Sequence, residues 1–467
     1  MDQSTTRQRS AASTLPPPPA QPERDPDTDR RTGRRPMTIG GIRAWVITVM
    51  LMVLMMINFA DKAVLGLAAT SIRAEFGLTA QQYGTISSAF FLLFSISALV
   101  VGHLADRFST RKVLIVLALI WSAAMLPVIG PAGFTVILLS RVVLGAAEGP
   151  AFGVAQHAVQ KWFKDADRSM PTAWLTLASP LGVIVGAPVL AWLIATHGWR
   201  SAFVAVAVVG VVWSALWLVI GRDGPIDAPA TADATSAATE SVRPLDRVHV
   251  PLRKILGSRT WIGCALSAFA GYWAIALLIA WVPAFLTDDL GYSKATAGTL
   301  TALPWIVGVI ALLAQGFGSQ RLMKGGVSSR WARGVLPGSI AVVAGVCILL
   351  SAVVHGHAMI LGLLALGLGM CGVAFAAGAV ACGEIAPVRQ RGVVLGAFVG
   401  FYSLAGVIAP FVAGVLVDRA GSDPSSGYTV VFALTGVFVI VGGLLAVTLI
   451  SPERDTARLT ATGRPAA

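Results

Sequence analysis

The feature that most constrains this chain is a series of about twelve long apolar stretches separated by short polar turns. They fall near 43–69, 82–104, 112–130, 134–160, 170–196, 199–220, 260–286, 294–317, 332–354, 357–383, 391–416 and 428–450. A helix rising about 1.5 Å per residue needs roughly 20 apolar residues to cross about 30 Å of hydrocarbon. Strands of a membrane barrel would alternate apolar and polar residues over about 10 positions, and these stretches do not. The chain reads as an all-α membrane protein with twelve transmembrane helices. Only 12% of its residues are charged and 55% are hydrophobic, whereas a soluble protein carries about 25% charge. That balance excludes a disordered chain and is too apolar for a water-soluble core.

The segments between the helices give the organisation. Residues 1–42 are rich in Ser, Thr, Pro, Arg and Asp, with a Pro16–Pro19 run, and read as a disordered tail. The first apolar run begins only near Ala44 and exceeds 20 residues, which makes it a retained spanning helix and not a cleaved signal. The largest break, 221–259, separates six helices from six. It divides the chain into two pseudo-symmetric six-helix bundles at 43–220 and 260–450, with a terminal tail at 451–467. Within the break, 245–258 reads as a short interfacial helix.

The net charge of +12 is a statement about topology. If the N-terminus lies inside, only Arg73, Arg200, Lys294 and Arg419 of the 35 Lys and Arg residues fall outside, and Lys62 and Arg141 lie within helices. The remaining 29 are on the inner side, which predicts cytoplasmic termini, a cytoplasmic central loop and residence in the plasma membrane. The basic excess then faces anionic lipid and not nucleic acid. Cys264, Cys347, Cys371 and Cys382 all sit in apolar runs without metal-ligand spacing, so no disulfide, metal site or cofactor is expected.

After the second helix comes Gly102-His-Leu-Ala-Asp106-Arg107-Phe-Ser-Thr-Arg111-Lys112, and after the eighth a degraded copy, Gly316-Phe-Gly-Ser-Gln320-Arg321-Leu. Two sets of six helices with a repeated loop indicate internal duplication. Together these features resemble the major facilitator superfamily, whose signature loop matches Gly102 to Lys112, with Ser109 where glycine is usual. The resemblance implies that Gly102, Asp106, Arg107, Arg111 and Lys112 form a gating loop for alternating access. Asp106 can face the positive end of a helix dipole, with Arg107, Arg111 and Lys112 pairing to it or to lipid phosphates. Gln320 replaces the acid in the second copy, so only the first half should carry the full ionic latch.

A narrower resemblance, to the anion:cation symporter family, rests on several pieces in order. They are Asn58-Phe-Ala-Asp61-Lys62, Arg141-Val-Val-Leu-Gly145-Ala-Ala-Glu148-Gly-Pro150-Ala-Phe152, Trp281-Val-Pro283, Leu290-Gly291-Tyr-Ser293, Gly298 with Leu303-Pro304, and Glu384-Ile-Ala-Pro387 with Pro410. It implies uptake of organic anions, often with protons.

The residues lead to the same place by themselves. Four charged residues lie deep in the spans: Asp61, Lys62, Arg141 and Glu148. Each costs at least about 2.5–3.5 kcal/mol at mid-bilayer, which marks a substrate or ion pathway. At 100° per residue, Asn58, Asp61, Lys62 and Leu65 share one face of helix 1, and Arg141, Gly145, Glu148, Phe152 and Gln156 share one stripe of helix 4. Arg141 and Glu148 are too far apart along the helix to pair, so Asp61 with Arg141 and Lys62 with Glu148 are the expected partners. Asp61 and Glu148 are read as proton-coupling sites, and Lys62 and Arg141 as substrate-binding bases, with Asn58 and Phe152 beside them. Lys62 stands where the family has arginine and lacks the bidentate fork. Tyr272, Trp273 and Tyr402 are candidate cavity aromatics, and Glu384 a loop or gating charge.

Phe59, Ser179 and Val399 replace more polar residues of the family, which favours a less polar carboxylate, such as an aromatic acid, over a heavily hydroxylated sugar acid. The expected activity is proton-coupled uptake of a small organic anion by a monomer embedded in the bilayer, with the proton as coupling ion. The alternative is a proton-driven efflux antiporter of drugs or metabolites, supported by Gly182-Val-Ile-Val-Gly186-Ala-Pro188 in helix 5. No phosphate loop, metal cluster or nucleophile–base constellation suggests an enzyme.

Overall fold

A lipid-facing backbone must satisfy its own hydrogen bonds, so long apolar runs become helices. The computed structural model describes residues 40–104, 108–163, 167–225, 244–421, 423–462 and 464–465. It contains twelve long helices: α1 Ile42–Leu67, α2 Ala80–Leu104, α3 Thr110–Ile129, α4 Phe134–Gln160, α5 Ser169–His197, α6 Trp199–Ile220, α7 Arg259–Ala280, α8 Lys294–Lys324, α9 Trp331–Ser351, α10 His357–Ile385, α11 Arg391–Arg419 and α12 Pro424–Leu449. Eleven of them, all but α2, satisfy length and hydropathy criteria for a membrane span over the described residues. The protein is a multi-pass membrane protein. Each predicted run meets a helix, with ends displaced by a few residues; α8 is the largest difference, running on to Lys324.

Two expectations at the polar ends change. Over 245–258 the chain makes a 3-10 turn, Pro244–Arg247, a two-residue strand and only a five-residue helix, Leu252–Leu256. The segment after α12 is not a bare tail. Helix Pro452–Thr462 buries Asp455 and Leu459, and Arg464–Pro465 pairs antiparallel with Val248–His249. The reason is a compact satellite core in which Leu459 joins Leu245, Val250 and Ile255. Helix α6 ends at Ile220 and α7 begins at Arg259, and 226–243, like the tail up to residue 39, lies outside the described residues.

Helices α1–α6 pack chiefly among themselves, through α1 with α5, α2 with α4 and α3 with α6. In the second set α9 packs on α12, and α7 on α10, α11 and α12. Two long seams, α2 with α11 and α5 with α8, join the sets. The described chain starts and ends on one side, called here the near face.

The far face is sealed by contacts between the two sets. Tyr83 Oη donates across to Ala280 O (2.8 Å) and, within its own set, to Leu65 O (3.2 Å), while Trp281 Nε1 braces the second set by donating to Pro410 O (3.1 Å). Lys294 Nζ donates to Ser71 Oγ (2.7 Å), and Arg73 pairs with Asp288 (3.5 Å). Asp418, at the end of α11, accepts the main-chain N–H groups of Ala80 and Gln81, both at 2.7 Å. These are unsatisfied donors of the first turn of α2. Gly414 permits this approach, because a Cβ there would meet the main chain of Ala80.

Candidate functional site

Glycine positions α4 against α2. A Cβ on Gly145 would strike Phe90 O, and one on Gly149 would strike Phe94 O. Pro150 then interrupts the helix, whose first part ends at Glu148. This close seating carries Arg141 and Glu148 into the interior beside Asn58, Asp61 and Lys62 of α1, and all five are buried.

The Lys62 ammonium lies 2.7 Å from Glu148 Oε2. It also donates to the Asn58 side-chain carbonyl and lies 3.4 Å from Asn58 O. Three rings surround it: Phe59, Phe94 and Phe90, with centroids at 4.6, 5.3 and 5.8 Å. A desolvated cation over aromatic faces gains about 2 kcal/mol or more, which helps retain Lys62 at this depth. The expected Lys62–Glu148 pair is therefore present.

The expected Asp61–Arg141 pair is not. Among the described residues Arg141 forms no ion pair; its Nη2 meets Met125 Sδ at 3.6 Å and its Cζ lies 5.1 Å from the Phe203 ring. Its Nε has no hydrogen-bond partner, and neither has either oxygen of Asp61. Asp61 lies within electrostatic reach of Glu148, Arg141 and Lys62 alike. Arg141 sits two turns from Glu148, about 10 Å along the axis, and its guanidinium meets Met125 and Phe203 instead. Asn58 Nδ2 is also left without an acceptor.

A small cavity of about 20 Å³, room for about one water, adjoins this cluster, lined by Lys62, Arg141, Ser87, Phe90, Phe91 and Ala280 among others. Ser87 Oγ is buried and unpartnered there. Beyond it, Phe91 meets Tyr272 across the two sets (6.0 Å), and Tyr272 packs on Tyr402 (5.1 Å) and Phe375 (6.2 Å). Tyr402 stacks on Phe375 at 5.8 Å. Tyr272 and Tyr402 are thus one aromatic wall. Trp273 is not part of it: it donates to Thr435 Oγ1 and stacks on Phe438, toward α12. Phe152 is 36% exposed and stays outside the packed cluster, because the break at Gly149–Pro150 lies between it and Glu148. Gly182 and Gly186 of α5 abut Met56 and Ala60 of α1, so they serve close helix packing.

Of the gating loop, Asp106 and Arg107 lie outside the described residues, and Gly102 is in the last turn of α2. Arg111 Nη2 donates to Leu218 O (2.5 Å), and Lys112 N to Ser109 Oγ (3.4 Å). Ser109 and Thr110 donate to Asp223 at 2.5 and 2.7 Å, and Arg111 N donates to it at 3.1 Å. Asp223 thus ties the end of α6 to the start of α3. The second half has its own near-face ion pair, Arg333 with Glu384 (2.9 Å), to which Ser329 donates at 2.5 Å. The lost acid at Gln320 does not leave that half without an ionic contact.

The residues that sequence reasoning missed are Ser87, Phe90, Phe91, Phe94 and Phe375. A stripe at 83, 87, 90–91 and 94, spaced as one helix face, was the available signal for the first four.

The family model of the Major Facilitator Superfamily matches residues 51–370 and 322–466. A hexuronate transporter of Bacillus subtilis is 28% identical over 395 residues, covering 83% of this chain and 89% of that protein. A probable sulfoacetate transporter of Cupriavidus necator is 30% identical over 399 residues, with 83% and 89% covered. Among solved structures, a bacterial homologue of the human lysosomal transporter Spinster superposes with a TM-score of 0.72 at 16% identity, covering 90% of this chain and 99% of that one. The nucleoside transporter NupG gives 0.62 at 13% identity, with 86% and 98% covered. The chain belongs to the major facilitator superfamily and is a membrane transporter of the anion:cation symporter type.

Proposed function

We propose that this transporter carries a small organic anion inward together with protons. The observation that carries the reading is the buried group of two carboxyls and two cations in which Lys62 holds Glu148 while Arg141 is left without a carboxylate partner. Arg141 offers an anionic substrate a planar donor fork. A substrate carboxylate that also draws on Lys62 competes with Glu148 for the ammonium. The released carboxyl then takes a proton, which it can share with Asp61 beside it, and substrate and proton travel together. Lys62 and Arg141 are the substrate bases in this scheme, with Asn58 Nδ2 a further donor. Asp61 and Glu148 are the proton sites, and no cofactor takes part.

The relatives named for hexuronate and sulfoacetate support an organic-anion substrate. The aromatic lining supports a less polar acid, while the relatives named for hexuronate, galactarate and galactonate support a hydroxylated one. The bias of basic residues supports a cytoplasmic near face, cytoplasmic termini and the plasma membrane. With that orientation the sealed far face is the outer one. Neither the cluster nor the cavity calls for a second copy of the chain, which fits a monomer.

The test is uptake into proteoliposomes under an imposed pH gradient, with sugar acids, aromatic acids and aliphatic carboxylates compared. Accumulation driven by an acidic exterior is expected. Glu148→Gln should abolish gradient-driven accumulation while exchange or binding remains. Full accumulation by that variant, or no acid moved under either gradient, overturns the reading; expulsion driven by the gradient would favour the antiporter.

A further inference from the structure

The helix Pro452–Thr462 folds back onto the base of α7. Asp455 Oδ2 accepts from Thr260 N (2.8 Å), and Ser451 N donates to Thr260 Oγ1 (3.0 Å). Lys254 Nζ reaches Thr462 O at 3.4 Å. Between this helix and the turn before α7 lies a groove of about 360 Å³, lined by Arg253, Lys254, Ser258, Asp455, Arg458 and Thr462 among others.

Its charge is unbalanced. Arg253, Lys254 and Arg458 are exposed, and none forms an ion pair among the described residues. The one acid, Asp455, is buried and already committed to Thr260 and to Arg454 (3.0 Å). Three cations thus face a concavity whose carboxylate is used elsewhere. Two guanidinium forks and an ammonium suit a compact anion with several oxygens. The groove stands where α7 begins at Arg259, which is the level of lipid head groups at a membrane end.

We infer that this groove binds a phosphate group, carried by an anionic lipid head group or by a phosphorylated solute. The bound phosphate fastens the C-terminal helix to the base of α7. This site is separate from the transport cluster and does not depend on the proposed substrate.

The test uses the full-length protein, delipidated in neutral detergent. One arm adds phosphatidylglycerol or phosphatidylcholine and counts retained lipid by native mass spectrometry. The other titrates inorganic phosphate and glycerol phosphate by calorimetry. At least one phosphate-bearing anion should bind about tenfold more weakly to the Arg253→Gln/Lys254→Gln/Arg458→Gln variant than to the parent. A loss in the lipid arm alone assigns a head group, and a loss in the soluble arm alone assigns a solute. Arg253→Gln and Arg458→Gln, single changes at exposed positions, should each weaken binding about threefold, and they carry the comparison if the triple variant fails to fold. Equal binding by parent and variants in both arms overturns the inference.

Discussion

Asp418→Asn is a sharp perturbation because it changes one side chain at the seam between the two helix sets and keeps its shape. In the parent both carboxylate oxygens are used, one on Ala80 N and one on Gln81 N, each at 2.7 Å. Gln82 N is served within α2 by Thr79 Oγ1, while the Gln82 side chain accepts from Thr79 N. Asp418 therefore supplies what the local capping box does not. An amide has a single accepting oxygen and no charge to set against the helix dipole. Capping losses are about 1 kcal/mol, and the dipole contributes about 0.3–1 kcal/mol more at a part-exposed site. A combined loss of about 1–2 kcal/mol shifts the far-face closing equilibrium about 5- to 30-fold toward opening. Spin labels at Ala74→Cys and Ala295→Cys, exposed far-face positions on opposite sets, report that opening as a longer distance. The native cysteines are buried or half-buried, which keeps the background low. A well-folded Asp418→Asn protein with the parent's distance distribution would refute the reasoning.

Lys62→Ala removes one partner of a buried pair and strands Glu148, a change that costs about 3–5 kcal/mol. A marked fall in the thermal unfolding midpoint in detergent is expected, with Lys62→Arg retaining most of it; an unchanged midpoint for the alanine variant contradicts the ion pair's structural weight. At Asp223 burial alone would raise the carboxyl, but hydrogen bonds from Ser109, Thr110 and Arg111 N outweigh it and hold the group below its ordinary value. A carboxyl so lowered lends stability above about pH 4 that is lost as pH falls through its folded value. Asp223→Asn should then lower the midpoint at pH 7, by about 1 kcal/mol of capping, and make progressively less difference toward acid; a gap that stays constant with pH argues against it.

The helices were legible because a bilayer demands long unbroken apolar runs, and a run such as 199–220 leaves no alternative. The near-equivalence of Asp61, Lys62, Arg141 and Glu148 as deep charges was legible for the same reason: charge at that depth is costly wherever it occurs. Which carboxyl meets which cation was not legible. That choice depends on how α1 and α4 sit against each other, α4 being seated on α2 through Gly145 and Gly149, and no helix wheel holds the relation between two helices. Asp418 and Asp223 escaped notice because their partners are in part main-chain amides, far away in sequence and bearing no mark of their own. The same asymmetry divides the labour in the molecule. The far-face seal combines main-chain groups, Ala280 O and the amides of α2, with side-chain pairs such as Lys294–Ser71 and Arg73–Asp288. The midplane cluster is built on side chains, from Lys62 and Glu148 to the free edge of Arg141. None of these contacts uses Asp61, Lys62, Arg141 or Glu148, so the seal does not depend on the identity of the charges beneath it. Substrate and coupling chemistry can then be altered at four side chains without rebuilding the gate that both must obey.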